Sequence, residues 1–257
     1  MALNAIDCWL YEQLVKAKVI PENPDVLELG EACWHSDVDI QRLIQAIQVY
    51  ADAGIRMELL RQLERSFSPP SKTIHFEIAK IFYKTFLNYR TIASVDFDGS
   101  EQALRYDLNV PLPLAEHYHV VINTGTAEHI FNAGQFFKTM HERTCPNGLM
   151  IHALPFTGWL DHGFFNFNPT FVADLATANE YQLLIWLYGE LKPLRIVQLK
   201  NIEQVHEMSK RNELGANSLQ YAVFRKPPTE KAFAVPLQGV YRRQLSQQAA
   251  QDWQDLR

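Results

Sequence analysis

Apolar and polar positions along the chain follow a helical period in some stretches and form short apolar runs in others. Near the N-terminus, Ile6, Leu10 and Leu14 recur at helical spacing, which predicts an amphipathic helix. The run "DVLELG" follows a proline-containing break and predicts a short apolar strand that ends on Gly30. The chain is therefore expected to begin with a helix and then to enter a sheet.

Three helices are predicted between this strand and the next one. The first begins near Ser36, with Ser36 or Asp37 as its N-cap and Gly54 as its expected stop. The other two cover "MELLRQLERSF" and "IHFEIAKIFYKTFLNY". A crossover between parallel strands needs only about a dozen residues. The extra length predicts a helical insertion over about residues 35–90, beside the sheet and within the same domain.

The rest of the chain alternates short apolar runs with helical stretches. The runs predicted as strands are "TIASVDFDG", "ALRYDLN", "HVVINTG", "NGLMIHALP" and, near the end, "LQYAVFRKP". Helices are predicted at "FNAGQFFKTMHERT" and "PTFVADLATANEY". This alternation is typical of an α/β fold with a Rossmann-like, doubly wound and mostly parallel sheet. We expect a single domain over residues 1–257, with a C-terminal extension over about 227–257.

Composition and charge narrow the function classes. Of the 257 residues, 47% are hydrophobic and 21% are charged, as in an ordinary globular protein. The net charge is -5 and no Lys/Arg cluster follows a helix face, so no nucleic-acid partner is expected. The three cysteines lie far apart, which favours a reducing compartment. No signal-peptide pattern and no membrane-spanning run is present, so a cytoplasmic protein is expected.

Polar residues collect where the predicted strands end. In an open α/β sheet, ligands bind beyond the carboxyl ends of the strands, so these residues form the candidate site. They are Glu28, Gly30, Asp96, Asp98, Asp107, Asn123, Thr124, Gly125, Thr126, Glu128, His129 and His152. If the strands are adjacent and parallel, all of these residues face one crevice.

The residues that follow two of the predicted strands indicate which class of ligand the site could bind. The loop "ELGEACW" has a single glycine, Gly30, whereas a dinucleotide-binding turn needs several, so a nicotinamide-dependent oxidoreductase is the least favoured class. An acid at the end of a second strand, here Asp96 or Asp98, suits the diol of a ribose. The same segment, "DFDGS", is also typical of an Asx-turn, and the residues alone leave both interpretations open.

Five segments of the chain occur in an order that resembles a known family. They are "VLELG", "SVDFDG", "YDLNVPLP", "HVVINTGTAEHIFN" and "NGLMIHALPFTG". They resemble class I S-adenosylmethionine-dependent methyltransferases, above all a bacterial branch with the patterns GTxEHxFN and HxLPxxGxxxHGFxN, and the resemblance covers roughly Asp25 to Trp186. It implies the seven-stranded methyltransferase fold, S-adenosyl-L-methionine as cofactor, and a small molecule or peptide as methyl acceptor.

The resemblance also implies roles for the strand-end residues. The glycine after strand one, Gly30, would hold the methionine part of the cofactor, with Glu28 before it. The acid that closes strand two, Asp96 with Asp98 as its substitute, would bind the ribose, and Asp107 after strand three would bind the adenine amino group. The residues after strand four would line the place where methyl donor and acceptor meet. These are Asn123, Thr124, Gly125, Glu128 and His129.

Methyl transfer often requires removal of a proton from the acceptor, and histidine is suited to this near neutral pH. The candidates are His129, His162 and His152, with Glu128 as an orienting or alternative basic group. In the alternative interpretation, Glu128 and His129 cap a helix and His152 is a hydrogen-bonded core residue. No metal site is expected, because the nine histidines are scattered and form no HxxxH pair on a helix.

The aromatic residues near His162 also have two interpretations. They form either a lid over the acceptor or a cation-tolerant wall, or else a core beneath a loop, and the sequence does not separate the functional interpretation from the structural one. They are Phe156, Trp159, Phe164, Phe165 and Phe167.

The favoured function is an S-adenosylmethionine-dependent methyltransferase. Two features depart from the family pattern: the glycine-rich loop is reduced to "GEAC", and His119 stands where an acid is common at the start of strand four. These departures keep an alternative open, namely a catalytically inactive protein of the methyltransferase fold that binds a ligand or recruits a partner.

Overall fold

The computed structural model describes residues 2–35, 38–67 and 73–242, together with residues 247, 250, 251 and 254. The predicted cap residues Ser36 and Asp37 lie outside the described residues. In the described chain the corresponding helix begins at Ile40, where the Asp39 carboxylate accepts a hydrogen bond from the Gln41 amide at 2.9 Å.

Nine strands and seven α-helices succeed one another along the described residues. In chain order they are β1 (Ala2–Leu3), α1 (Ala5–Lys16), β2 (Asp25–Leu29), β3 (Cys33–Trp34), α2 (Ile40–Tyr50), α3 (Arg56–Ser66), α4 (Ile74–Leu87), β4 (Thr91–Val95), β5 (Tyr118–Thr124), α5 (Ala133–Arg143), β6 (Thr144–Thr157), α6 (Pro169–Ala178), β7 (Gln182–Leu191), β8 (Leu194–Gln198), α7 (Ile202–Lys210) and β9 (Ser218–Arg225). A short 3₁₀ turn, Ala127–His129, lies between β5 and α5.

Seven of the strands form one sheet in the order β4-β2-β5-β6-β9-β7-β8. Neighbours among β4, β2, β5 and β6 are parallel, so their carboxyl ends lie at one edge of the sheet. Strand β9 is antiparallel to both β6 and β7, and β8 forms an antiparallel hairpin with β7. The short strands β1 and β3 make a separate two-stranded parallel sheet.

Both faces of the large sheet are covered by helices. Alternate residues of β5 show this, because Val120 and Ile122 belong to the core beneath helices α1 to α4, whereas Val121 belongs to the core beneath α5 to α7. Strands buried on both faces read as continuous apolar runs, which is why they are visible in the sequence. The predicted α/β doubly wound fold with a helical insertion after its first strand is confirmed.

The prediction of a strand at "ALRYDLN" is wrong. This segment contributes only an isolated bridge between Leu104 and Val95. The guanidinium of Arg105 donates hydrogen bonds to the carbonyl oxygens of Asp96, Gly99 and Ser100 at 2.5, 2.8 and 2.8 Å, and so ties the segment to the loop after β4. Strand β5 is therefore the third strand of the large sheet along the chain and not the fourth.

Strand β8 and helix α7, like the short strands β1 and β3, were not predicted from the sequence. Strand β8 consists mainly of partly exposed residues, so it lacks the buried apolar run that marks the other strands. No helix within the described residues is both long enough and apolar enough to cross a membrane.

Candidate active site

A crevice lies beyond the carboxyl ends of β2, β4 and β5. It encloses about 330 Å³ and brings together residues that are far apart in the chain. Its lining residues are Gly30, Val95, Asp96, Phe97, Asp98, Tyr106, Leu108, Thr126, His129 and Ile130. Five sequence-predicted site residues, Gly30, Asp96, Asp98, Thr126 and His129, thus line one space. Strand-end reasoning did not identify Phe97 and Tyr106.

Gly30 leaves β2 in a conformation that other residues rarely adopt. Its φ is 88°, and a Cβ atom built on it would lie 1.9 Å from Oγ1 of Thr126. Its amide donates to the Val95 carbonyl oxygen at 2.8 Å, which fixes the loop beside the end of β4. The absence of a side chain at Gly30 therefore keeps the loops after β2 and β5 in close contact.

The carboxylate of Glu28 is fully buried beneath this loop. It accepts hydrogen bonds from the Ala32 amide at 3.1 Å and from the Ser94 hydroxyl at 2.6 Å, and it pairs with the Lys80 ammonium group. Lys80 also lies 3.2 Å from the carboxylate of Glu31. Glu28 is not among the residues that line the crevice, and its contacts place it as a support of the loop.

Asp96 joins the loop after β4 to the loop after β2. Its Oδ2 accepts a hydrogen bond from the Glu31 amide at 2.8 Å, and its Oδ1 accepts one from the Asp98 amide at 2.8 Å. The second bond is the Asx-turn that the sequence allows, and Asp96 also lines the crevice. The two interpretations of this segment are compatible, because each carboxylate oxygen accepts more than one hydrogen bond.

The side chain of Asp107 is exposed, and Asp107 is not among the residues that line the crevice. Its Oδ1 accepts hydrogen bonds from the backbone and side-chain nitrogens of Asn109, both at 2.8 Å, and these lower the pKa of the carboxyl group. The neighbouring residues Tyr106 and Leu108 supply the lining at this point.

The turn after β5 is held by Asn123, which is fully buried. The side-chain oxygen of Asn123 accepts hydrogen bonds from the amides of Thr126 and Ala127 at 2.9 and 3.1 Å. Thr124 is buried, and Gly125 has a φ of 69° and donates to the Ala153 carbonyl oxygen at 2.9 Å. These contacts shape the turn that carries the next residues, Glu128 and His129.

Glu128 and His129 stand in the 3₁₀ turn and do not cap a long helix. Helix α5 begins later and is capped by Asn132, whose side-chain oxygen accepts a hydrogen bond from the Gln135 amide at 3.2 Å. The capping interpretation of the Glu–His pair is therefore wrong.

Three side chains converge on this turn and form what we call the Glu–His cluster: Glu128, His129 and His162. The Nε2 atom of His162 lies 3.7 Å from Oε1 of Glu128, and the rings of His129 and His162 are 4.9 Å apart. Glu128 is only 2% exposed, and within the described residues its Oε2 has no hydrogen-bond partner. Burial raises the pKa of Glu128 to about 7. Burial, followed by the nearby charge of His162, lowers the pKa of His129.

The loop that carries His162 is fastened to Glu128. The carbonyl oxygen of Glu128 accepts hydrogen bonds from the amides of Phe164 and Phe165 at 2.7 and 3.3 Å. A Cβ atom on Gly163 would lie 2.8 Å from that same oxygen, so only glycine allows this close approach. At the start of the loop, the Trp159 indole donates to the Ser218 carbonyl oxygen at 2.8 Å. The Glu–His cluster is thus fixed by the backbone of two segments.

His152 is not among the residues that line the crevice, and its Nδ1 atom lies 3.4 Å from Nδ2 of Asn123. Strand β6 continues to Thr157, so His152 is inside the strand and not at its end. It is 1% exposed between the rings of Phe137 and Phe224, and burial lowers its pKa to about 3. Its placement matches the core interpretation.

The aromatic residues near His162 divide between the two interpretations. Phe167 is 6% exposed and belongs to the core beneath α5 to α7, where Phe156 and Phe165 pack against it. Phe164 is 64% exposed and contacts the ring of Phe131, which is also exposed. Trp159 is partly exposed, and its ring centroid lies 5.2 Å from that of His162. Phe164 and Trp159 therefore flank the Glu–His cluster, while the others support the loop.

No protein-family model matches this chain, and no curated protein matches it. Among solved structures, TehB from Haemophilus influenzae is 15% identical over 84% of this chain and 62% of that chain, with a TM-score of 0.40. This chain therefore spans less than two thirds of the length of TehB.

Two further solved structures match this chain with similarly low sequence identities and TM-scores. The N-methyltransferase NodS from Bradyrhizobium japonicum WM9, in complex with S-adenosyl-L-homocysteine, is 13% identical over 87% of this chain and 89% of that chain, with a TM-score of 0.41. The [4+2]-cyclase SpnF is 9% identical over 87% of this chain and 82% of that chain, with a TM-score of 0.45. The residues of the crevice, and not these likenesses, carry the functional argument.

Proposed function

We propose that this chain is an S-adenosylmethionine-dependent methyltransferase whose cofactor binds in the crevice beyond β2, β4 and β5. One observation carries the proposal. Gly30, Asp96 and His129 come from the ends of three adjacent parallel strands, and all three line the same cavity. This is the combination that the family resemblance implies for the methionine part, the ribose and the reacting centre.

The lining residues fit such a cofactor. Asp96 keeps acceptor capacity after its two backbone contacts, so its carboxylate suits the two hydroxyl donors of a ribose. The side chains of Tyr106, Leu108 and Ile130 supply apolar walls that suit a flat base. Gly30 presents backbone without a side chain where the chain of the cofactor would pass. Asp98 lines the crevice beside Asp96, whereas Asp107 is not among the lining residues and only its neighbours Tyr106 and Leu108 are.

The acceptor, a small molecule or a peptide, would lie against the Glu–His cluster. When bound, S-adenosylmethionine supplies an electrophilic methyl carbon on a sulfonium sulfur, and that sulfur keeps the bonding electron pair when the methyl group leaves. The chain must position the acceptor atom in line and stabilise its deprotonated form. His129 is the member of the cluster that also lines the crevice, so donor and acceptor would meet at this residue.

Hydrogen–deuterium exchange of the full chain with S-adenosyl-L-homocysteine tests this placement. We expect slower exchange in the three loops that enclose the crevice, at residues 28–32, 95–99 and 123–130, because a bound ligand restricts their opening. Helix α3 serves as an internal control and should not change. Protection confined to other segments, or no protection anywhere, would contradict the proposal.

A further inference from the structure

The Glu–His cluster combines two features that point to a ligand. The carboxylate of Glu128 and one ring nitrogen from each of His129 and His162 all lie within 4.8 Å of one another. Glu128 is 2% exposed, and in the described part of the chain its Oε2 has no hydrogen-bond partner. Burial of a carboxylate oxygen without a partner costs free energy that a nearby cation would offset.

The type of donor atoms favours a particular class of cation. Two imidazole nitrogens and one carboxylate oxygen form a set typical of zinc and other first-row divalent metals. Calcium and magnesium favour ligand sets made of oxygen atoms, so this cluster does not suit them. Lys80 lies close to the crevice loops, but its ammonium group is paired with Glu28 and Glu31 and therefore does not supply the cation for Glu128.

We propose that Glu128, His129 and His162 bind a divalent transition-metal ion such as Zn²⁺. Ligand atoms lie about 2.0–2.2 Å from zinc, so two neighbouring ligands are about 3–3.5 Å apart. The separation of 3.7 Å between Glu128 and His162 is close to this range. Both histidines are exposed, and rotation of their side chains brings the rings inwards.

The backbone already holds the ligands in place. Glu128 and His129 belong to the 3₁₀ turn fixed by Asn123, and the loop of His162 is fastened to the carbonyl oxygen of Glu128. Metal binding therefore requires little change in the backbone, and three protein ligands leave at least one coordination position open. His129 also lines the crevice, so an ion that it binds lies beside the space where an acceptor would lie.

A metal at this position has a chemical consequence, which rests on the proposed methyltransferase function. A divalent ion polarises a coordinated oxygen and lowers the pKa of its proton. The acceptor class that follows is a compound whose hydroxyl oxygen coordinates the ion. Its proton passes to solvent, its oxygen forms the bond to the methyl carbon, and the bond from sulfur to that carbon breaks.

Direct titration with metal alone tests the site without any cofactor or acceptor. The metal-free full chain is titrated with Co²⁺ while visible absorption is recorded, and Zn²⁺ is then added as competitor. We expect one saturable Co²⁺ site with visible bands that Zn²⁺ removes. His129→Ala and His162→Ala should each weaken the affinity at least about tenfold, since even outer contacts of metal sites have effects of that size.

Two controls keep the result interpretable. His117→Ala removes an exposed histidine before β5, at the opposite end of that strand, and should leave the affinity unchanged. Glu128→Gln should weaken binding, with its fold checked by circular dichroism because the residue is buried. The proposal is overturned if the wild-type chain shows no saturable site, or if the two histidine variants bind as tightly as wild type.

The proposal of a metal site and the proposal of a methyltransferase function can be contradicted independently of each other. Binding of S-adenosyl-L-homocysteine is measured on the same metal-free chain. Cofactor binding without a Co²⁺ site overturns only the metal proposal. A Co²⁺ site without any cofactor binding supports the metal proposal and contradicts the methyltransferase function.

Discussion

The Nε2 atom of His162 lies 3.7 Å from the Oε1 atom of Glu128, although helix α5 and the long strand β6 separate the two residues in the chain. The approach depends on the backbone, because the amides of Phe164 and Phe165 donate to the carbonyl oxygen of Glu128. Gly163 lies between His162 and these two residues and packs directly on Glu128. The geometry of the Glu–His cluster is therefore sensitive to a residue that has no side chain.

Gly163→Ala should disrupt the cluster without removing a chemical group from it. The added Cβ would lie 2.8 Å from the carbonyl oxygen of Glu128, so the loop must move outwards and carry His162 with it. We expect metal affinity to fall about as far as in His162→Ala, measured by Co²⁺ absorption. Gly134→Ala is the matched control, because the nearest atom to its Cβ would be 3.9 Å away. Equal metal affinity in Gly163→Ala and wild type would show that the loop contact is not needed.

Asp96→Ala should weaken cofactor binding more than any other single acidic substitution in the crevice. Each lost hydrogen bond to a charged group costs about 1.5–3 kcal/mol, which corresponds to tenfold or more in affinity. Asp107→Ala should have a smaller effect, because Asp107 is exposed and bonded to Asn109. Calorimetry measures the affinities of both variants for S-adenosyl-L-homocysteine. Glu116→Ala, a substitution of an exposed residue, is the control. The reverse order of effects would assign the ribose contact to another residue.

Asp96→Asn distinguishes a role of Asp96 in cofactor binding from its role in holding the loops after β2 and β4. Asparagine keeps one oxygen that accepts a backbone amide, so the contacts with Glu31 and Asp98 are partly retained. We expect its melting temperature to stay closer to wild type than that of Asp96→Ala, while its cofactor affinity still falls. Loss of affinity only in proportion to loss of stability would mean that Asp96 acts through the loop.

Lys80→Met should destabilise the fold by about 3 kcal/mol, because it leaves the buried charge of Glu28 without its cationic partner. The double variant Glu28→Gln with Lys80→Met should recover part of that loss. Arg61→Ala is the control, because Arg61 and its ion-pair partner Glu58 are both exposed. This substitution should change the free energy of unfolding by less than about 1 kcal/mol. Urea unfolding gives the free energies of unfolding of Lys80→Met, the double variant and Arg61→Ala. Equal destabilisation in Lys80→Met and Arg61→Ala would contradict the described pairing.

The buried residue Asp7 gives the stability of the fold a defined dependence on pH. Burial raises the pKa of Asp7 from 3.8 to about 7, so the folded chain holds a proton that the unfolded chain releases. Its contribution to stability is therefore present below pH 3.8 and is lost as the pH rises to about 7. The slope over that range is roughly 1.4 kcal/mol per pH unit.

Asp7→Asn should remove this slope. Asparagine keeps an oxygen that accepts the Asn4 amide but has no proton to lose. Urea unfolding of wild type and Asp7→Asn at a series of pH values from 4 to 8 is the measurement. We expect the variant to gain stability relative to wild type as the pH rises. Parallel curves for the two chains would show that Asp7 is ionised in the fold.

Much of the fold was predictable from the sequence because its central strands are buried on both faces. Such strands appear as apolar runs, and the polar residues that follow them mark the edge where ligands bind. The segment "ALRYDLN" misleads because its alternation resembles a strand, whereas the contacts of Arg105 with loop carbonyl oxygens hold it off the sheet. No local pattern records such a contact.

The crevice was more predictable than the Glu–His cluster. Gly30, Asp96 and His129 follow strands, so the topology of the sheet brings them together. His162 lies in a loop, and its approach to Glu128 depends on backbone hydrogen bonds that the spacing of residues does not reveal. The expectation of no metal site rested on spacing along the chain, and the Glu–His cluster draws its members from two segments.

Calorimetric titration of the full chain with S-adenosyl-L-homocysteine tests the central claim most directly. The account predicts one saturable site in the wild-type chain, a rise in melting temperature on binding, and weaker binding in Asp96→Ala than in Glu116→Ala. Absence of both heat and thermal shift, with S-adenosylmethionine as well as with S-adenosyl-L-homocysteine, would contradict it.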